Sequence, residues 1–293
     1  MIPSYDGLAP LAARYDGYII DLWGVLHDGA RAFPAAVDCL VQLRRRAKRI
    51  VILSNAPRRA DTVAARNVEL GIAPTLWDAV MSSGEETWRH LARRPDSWYR
   101  ALGRRCYHLG PARDRNMREG LDYDFVEAPG EADFILATGA LAAEDTVGRY
   151  EALLGEALRR GLPMICANPD LEVIRGGARE ICAGAIAARY EALGGKVRYH
   201  GKPHPGVYDA CLSVLDGMER GRIAAIGDAL RTDIAGANAA GIDGIFVTGG
   251  LQAAELGADA RGYADPARLA ALCAAEGHMP AAVLPTLRWS PGA

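Results

Sequence analysis

Asp21, Ser54-Asn55, Lys202, Asp228 and Asp233 are the residues of this sequence best suited to chemistry. Asp21 follows the apolar run Tyr18-Ile19-Ile20, Ser54-Asn55 follow Ile50-Val51-Ile52-Leu53, and Asp228 follows Ile223-Ala224-Ala225-Ile226-Gly227. Each run reads as a buried strand, and a polar residue just beyond it falls at the strand's carboxyl end. In a parallel sheet all carboxyl ends lie along one edge, where open α/β folds bind ligands. Residues more than 200 positions apart can therefore converge there. Together they supply what phosphoryl transfer requires. A carboxylate can attack phosphorus, and a cation, a lysine and short donors can hold the charge on the phosphoryl oxygens. Asp21 is the candidate nucleophile. Asp21 and Asp228 can hold Mg²⁺, a hard ion that prefers carboxylate and water oxygens. The Ser54 hydroxyl and nearby backbone N–H groups can grip a phosphate oxygen, and Lys202 supplies a compact positive charge. Lysine stands only at 48, 196 and 202 in a chain otherwise supplied with arginine, which supports a site-specific need at 202.

The elements that must position these residues alternate in the manner of a parallel α/β sheet. Strands are expected at 18–22, 49–53 and 79–81, with a helix over 34–46 that has Pro34 in its first turn, and a second helix ending at Gly71. From about Gly84 the pattern becomes less regular, with Trp88, Trp98 and several arginines. Strands return at 106–109, 134–138 and 163–167, with a helix near 144–160. This stretch reads as a second α/β module inserted in the first. Val197–His200 is expected to resume the first module, followed by a helix over 206–215, a strand over 222–227, a helix over 232–240 and a strand over 242–248. The expected division is 1–83 with 197–293 for the first module and 84–196 for the insert. The tail after Gly277 reads as irregular.

Asp21-x-x-Gly-Val-Leu, Ser54-Asn55, Gly201-Lys202-Pro203 and Gly227-Asp228-x-x-x-x-Asp233 resemble the four ordered motifs of the haloacid dehalogenase superfamily. Asn168-Pro169-Asp170 and Gly184-Ala185-Ile186 resemble its class IIA branch, which includes NagD-like and p-nitrophenyl phosphatases. The resemblance covers roughly residues 16–250. Each motif alone is weak; four in order, each in its strand context, are strong. The resemblance implies a Rossmann-like, doubly wound parallel-sheet core with an inserted α/β type 2 cap. It also implies a Mg²⁺-dependent phosphatase that acts on a small phosphorylated metabolite, such as a sugar phosphate or nucleotide, through an aspartyl-phosphate. Asp21 would be the nucleophile and a Mg²⁺ ligand, with the main-chain carbonyl of Trp23, Asp228 and Asp233 completing the metal set. Ser54, Asn55 and Lys202 would hold the phosphate, and Asn168 and Asp170 would face the substrate. Caps of this type often contribute to homodimers.

Trp23 departs from the motif. Phosphatases of this superfamily usually have Asp there, which protonates the leaving alcohol and later activates water. A positioned acid/base is worth roughly 10²–10⁴-fold in rate, and indole can do neither job. Metal binding through the backbone should survive. Three accounts stand open. Substrates with good leaving groups need no acid; His27 or Asp28 substitutes; or the chain is a phosphate-ester binding or regulatory protein with little turnover. Asp28-Gly29 is also ordinary turn chemistry.

Composition narrows the partners. Half of the 293 residues are hydrophobic and the net charge is −2, so nothing asks for nucleic acid or an anionic membrane surface. Arg44-Arg45-Arg46 falls at a helix end, where cations complement the dipole. The six cysteines form no C-x-x-C pair and sit among apolar neighbours, as buried free thiols do. The first residues lack a signal peptide's pattern, and no apolar run is long enough to span a bilayer, so a cytoplasmic location is expected.

Overall fold

The computed structural model describes residues 2–175 and 178–290. In chain order its strands and helices are β1 Gly17–Asp21, α1 Pro34–Arg45, β2 Arg49–Ser54, α2 Ala60–Glu69, β3 Ala79–Ser82, α3 Ser83–Arg93, α4 Ser97–Arg100, β4 Arg105–Leu109, β5 Asp124–Val126, β6 Phe134–Ala137 and α5 Glu151–Arg160. They continue with β7 Met164–Cys166, β8 Glu172–Arg175, β9 Ala178–Ile181, α6 Ala183–Ala192, β10 Val197–Tyr199, α7 Pro205–Val214, β11 Ile223–Gly227, α8 Ala235–Ala240, β12 Asp243–Val247, α9 Pro266–Glu276 and β13 Ala282–Leu284. The chain divides into two compact units, one of residues 1–54, 63–81 and 202–293, the other of 55–62 and 82–201.

The first unit is an α/β domain on a six-stranded sheet in the order β13-β12-β11-β1-β2-β3. The β1–β2, β1–β11, β11–β12 and β12–β13 pairs are all parallel. β1 is buried along its whole length, which explains a nearly continuous apolar run rather than an alternating one. From β1 the chain winds outward through β2 and β3 on one side. On the other side it winds through β11, β12 and β13. The order therefore reverses between β1 and β11, and that switch point is where open sheets of this kind bind ligands. Ile19, Val51 and Leu53 pack with Val207, Tyr208 and Cys211 of α7 and Ala237 of α8. Phe246 and Val283 pack with Leu269 and Cys273 of α9.

The second unit has its own five-stranded sheet, ordered β10-β7-β6-β4-β5 and parallel throughout, and a separate antiparallel β8–β9 pair. Its core joins Ile135, Met164 and Cys166 to Leu154 and Ala157 of α5 and to Ile186 and Tyr190 of α6.

Several elements differ from the sequence-based expectation. β10 does not resume the first sheet but pairs with β7; a three-residue strand, Val197–Tyr199, carries too little pattern to assign it to either sheet from sequence. The tail after Gly277 is not irregular throughout. Ala282–Leu284 forms the edge strand β13, parallel to β12. The helix expected over 232–240 opens with a π-helical turn at Leu230–Ile234 before α8. Pro34 does occupy the first turn of α1, Arg44 and Arg45 lie in its last turn, and all six cysteines are buried free thiols. No helix among the described residues is long and apolar enough to cross a membrane.

Candidate active site

β1 ends on Asp21, β2 on Ser54 and β11 on Gly227, immediately before Asp228. The register sets these ends level, with Asp21 beside Leu53 and Ile20 beside Ile226. Asp21, Asp228 and Asp233 converge there, with one carboxylate oxygen from each lying within 4.8 Å of the others. Asp233 reaches the cluster from the π-helical turn after β11, a distortion that recurs at functional sites. Lys202 Nζ lies 2.5 Å from Asp21 Oδ1 and 2.7 Å from Asp233 Oδ1. Ser54 is buried at the end of β2.

Backbone donors and glycines make the space for these carboxylates. The Leu251 N–H donates to Asp228 Oδ2 at 2.7 Å, and the Ala229 N–H to Asp233 Oδ2 at 3.3 Å. Gly24 has φ +71°, and a Cβ there would lie 1.8 Å from Asp228 Oδ2. A Cβ on Gly250 would lie 2.3 Å from the same oxygen, and one on Gly227 would lie 2.0 Å from Asp233 Cγ. The buried Tyr208 hydroxyl donates to the Asp233 carbonyl at 3.0 Å. Sequence reasoning missed Gly250, Leu251 and Tyr208. Gly249-Gly250 directly after an apolar strand was the one signal that could have found the first two.

The electrostatics are those of a crowded acidic pocket. Burial raises the Asp228 carboxyl well above its usual range, and the charges of Asp21 and Asp233 add to the effect. Asp233 is pushed up to about 6 by burial; Lys202 opposes this and Asp21 adds to it. Burial pulls the Lys202 ammonium down, yet Asp21 and Asp233 outweigh it and hold Lys202 well above its usual range. With every group ionised, three carboxylates and one ammonium leave two excess negative charges. Such an all-oxygen, net-negative set fits a hard divalent cation, which would relieve the mutual repulsion.

Trp23 is half-buried. Its ring meets His27 edge-on, with centroids 5.5 Å apart, and lies so close over Gly29 that a Cβ there would fall 2.1 Å from the indole. His27 is buried, and its Nδ1 accepts the Gly29 N–H at 3.0 Å. Burial pulls its pKa down to about 4, so the ring is neutral at pH 7. Asp28 is exposed, and its Oδ1 accepts the N–H groups of Ala30 and Arg31 at 2.9 and 2.8 Å. Both residues thus shape the turn beneath the indole.

Asn55, Asn168 and Asp170 come together in the second unit. Asn55 Nδ2 donates to Asp170 Oδ1 at 2.8 Å, and the Asp170 N–H donates to Asn168 Oδ1 at 3.0 Å. The Ser83 hydroxyl lies between the carbonyls of Asn55 and Ala167, at 2.8 and 2.5 Å. Gly184, in the first turn of α6, lets this loop approach. A Cβ there would lie 2.3 Å from the Pro169 carbonyl oxygen and 2.5 Å from that of Asp170.

Comparison with known proteins places the chain among phosphatases. Residues 18–124 match the family described as haloacid dehalogenase-like hydrolase, and 199–287 match one described as HAD-hydrolase-like. D-glycerol 3-phosphate phosphatase of Mycobacterium tuberculosis is 31% identical over 266 residues, 88% of this chain and 69% of that protein. The ribonucleotide monophosphatase NagD of Escherichia coli is 26% identical over 80% of this chain and 87% of its own length. The crystal structure of a haloacid dehalogenase-like hydrolase from Brucella suis superposes with a TM-score of 0.82 at 34% identity, covering 97% of this chain and 99% of that one.

Proposed function

The chain belongs to the haloacid dehalogenase-like hydrolase family and is a phosphoric monoester hydrolase; we propose that it is a class IIA, Mg²⁺-dependent phosphatase of small phosphorylated metabolites, with Asp21 as its nucleophile. The observation that carries this reading is the convergence of Asp21, Asp228 and Asp233 around Lys202 at the sheet's switch point. The side chains of Asp21, Asp228 and Asp233 and the main-chain carbonyl of Trp23 would hold Mg²⁺. When bound, the ion would offset negative charge on the phosphoryl oxygens.

In the first step a carboxylate oxygen of Asp21 attacks phosphorus. The new O–P bond forms as the ester P–O bond breaks, giving an aspartyl-phosphate and the leaving alcohol oxygen. Lys202 offsets the negative charge shared by Asp21 and the phosphoryl oxygens, and the Ser54 hydroxyl donates to one of those oxygens. In the second step a water oxygen attacks the same phosphorus, and Asp21 leaves as a carboxylate with inorganic phosphate as product. Trp23 offers no ionisable group for either proton transfer. His27 is buried, neutral and engaged with the Gly29 N–H, and Asp28 is engaged in its turn. Water then protonates the leaving oxygen, which favours substrates with good leaving groups. The second unit is read as a type 2 cap that selects the substrate, with Asn55, Asn168 and Asp170 as its contact residues. A cytoplasmic location accords with six buried free thiols.

Phosphate release from p-nitrophenyl phosphate, glycerol phosphate, sugar phosphates and nucleotides, with and without Mg²⁺, tests the reading. Mg²⁺-dependent turnover of at least one is expected. Trp23 favours a second reading, a phosphate-ester binding protein with little turnover. Tight calorimetric binding of the same esters without hydrolysis would select it.

A further inference from the structure

The second unit contains a cluster, two of its three residues buried and one half-buried, that phosphoryl transfer does not use. Glu86 and His90 lie one turn apart on α3, so their side chains share a face. His200 follows β10 and meets them. One ligand atom from each of the three lies within 4.8 Å of the others. We propose that Glu86, His90 and His200 form a site for a divalent transition metal ion of the zinc class, separate from the carboxylate cluster of the first unit.

The hydrogen bonds leave a lone pair for an ion on His90 and on Glu86, and one tautomer of His200 supplies a third. His90 Nδ1 lies 2.9 Å from the Glu86 carbonyl oxygen. A carbonyl only accepts, so the proton is on Nδ1 and Nε2 has a lone pair. Metal-binding histidines are oriented in this way, by a carbonyl or carboxylate on the far nitrogen. Glu86 Oε2 accepts the Gly201 N–H at 2.9 Å, leaving Oε1. His200 Nε2 hydrogen-bonds to the buried Tyr99 hydroxyl. His200 is 3% exposed, and its Nδ1 has no hydrogen-bond partner. That nitrogen nevertheless lies 3.1 Å from Glu86 Oε1, outside hydrogen-bonding geometry. With Nε2–H donating to the Tyr99 hydroxyl, Nδ1 has a lone pair, and a cation would relieve its approach to Glu86 Oε1. Zinc–ligand bonds of about 2.0–2.1 Å in a tetrahedral site place two ligands about 3.3 Å apart, close to the spacing found.

The donor set identifies the class of ion. Two imidazoles and one carboxylate suit zinc, cobalt or nickel, whereas the all-oxygen cluster of the first unit suits magnesium. Three protein ligands leave a fourth position for water. An ion there would also fix Glu86, which holds the N–H of Gly201, the residue preceding Lys202.

The test is titration of the chelator-stripped, full-length protein with Co²⁺ in excess Mg²⁺, followed by visible absorption. One equivalent of Co²⁺ is expected to give the intense bands of a four-coordinate, nitrogen-containing site, and Zn²⁺ should abolish them. His90→Ala and the milder His90→Gln should each weaken Co²⁺ binding at least about tenfold. Asp228→Asn should leave the bands unchanged. Absence of the bands in the unaltered protein overturns the proposal, and that result depends on no variant folding. Bands that survive both His90 substitutions, or vanish with Asp228→Asn, overturn it as well.

Discussion

Replacing Lys202 with methionine removes a positive charge in direct contact with both Asp21 and Asp233, while keeping a chain of similar volume. The lysine is 3% exposed, and the carboxylates it touches are buried. Breaking a buried ion pair by deleting one partner typically costs about 3–5 kcal/mol. An independent bound comes from the relief available. Instead of keeping an unpaired buried charge, the variant can protonate one further carboxylate. At pH 7 that costs about 4 kcal/mol for a group whose ordinary pKa is near 3.9, and at pH 5 only about 1.5 kcal/mol. The predicted loss is therefore about 3–4 kcal/mol at pH 7, shrinking by about 1.4 kcal/mol per pH unit on acidification. For a domain of 150–250 residues the loss at pH 7 corresponds to about 6–16 °C in melting temperature. Urea unfolding of both proteins in a chelator, followed by tryptophan fluorescence from pH 5 to 7.5, measures it. A penalty below about 1 kcal/mol at pH 7, or one equal at pH 5 and pH 7, would refute the argument that Lys202 balances this pocket.

Further outcomes follow from the same geometry. The folded-state pKa of Asp233, about 6, exceeds its ordinary value of 3.8. The folded state thus binds more protons between these values, and stability falls as pH rises through that window. The difference between 3.8 and about 6 corresponds to a loss on the order of 3 kcal/mol in metal-free protein. Saturating Mg²⁺ should suppress the fall, and an unchanged pH profile would contradict the placement of the ion. Trp23→Asp is expected to raise kcat about 10²-fold or more by restoring an acid/base. It should also cost about 1–3 kcal/mol of stability as the indole leaves Gly29 and His27. An unchanged kcat would show that proton transfer is not the limiting defect. Gly184→Ala drives a methyl group against the carbonyls of Pro169 and Asp170 and should destabilise by about 1–3 kcal/mol. It should also raise KM more than it lowers kcat. An unchanged KM in the folded variant would remove Asn168 and Asp170 from the substrate contacts.

The sequence made the first sheet legible because its strands are buried on both faces and end abruptly in polar residues. Asp21, Ser54 and Asp228 stand at such ends, and Lys202 and Asp233 stand out by their motif spacing. The missed elements had signals of a different kind. Ser82 caps α3 by accepting the Glu85 N–H, a Ser-x-x-Glu pattern obscured by Gly84 within it. Gly84 is required there, since a Cβ would lie 2.2 Å from the Arg58 nitrogen. α9 has the full punctuation of a helix: Asp265 as N-cap, Pro266 in the first turn and Gly277 as C-cap. It lies beyond the last of the four motifs. Tertiary proximity was out of reach altogether. Nothing in local pattern joins His200 to Glu86, 114 positions earlier (200 minus 86), or shows that Leu251 donates to Asp228.

Steady-state hydrolysis of p-nitrophenyl phosphate by the unaltered protein and by Asp21→Asn, each in saturating Mg²⁺ and in a chelator, tests the central claim most directly. Asparagine keeps the size of the side chain but removes the carboxylate that would attack phosphorus. The account predicts Mg²⁺-dependent release of nitrophenol by the unaltered protein. It also predicts loss of that activity in a variant that still folds. Turnover that survives Asp21→Asn, or proceeds equally well in the chelator, would contradict it.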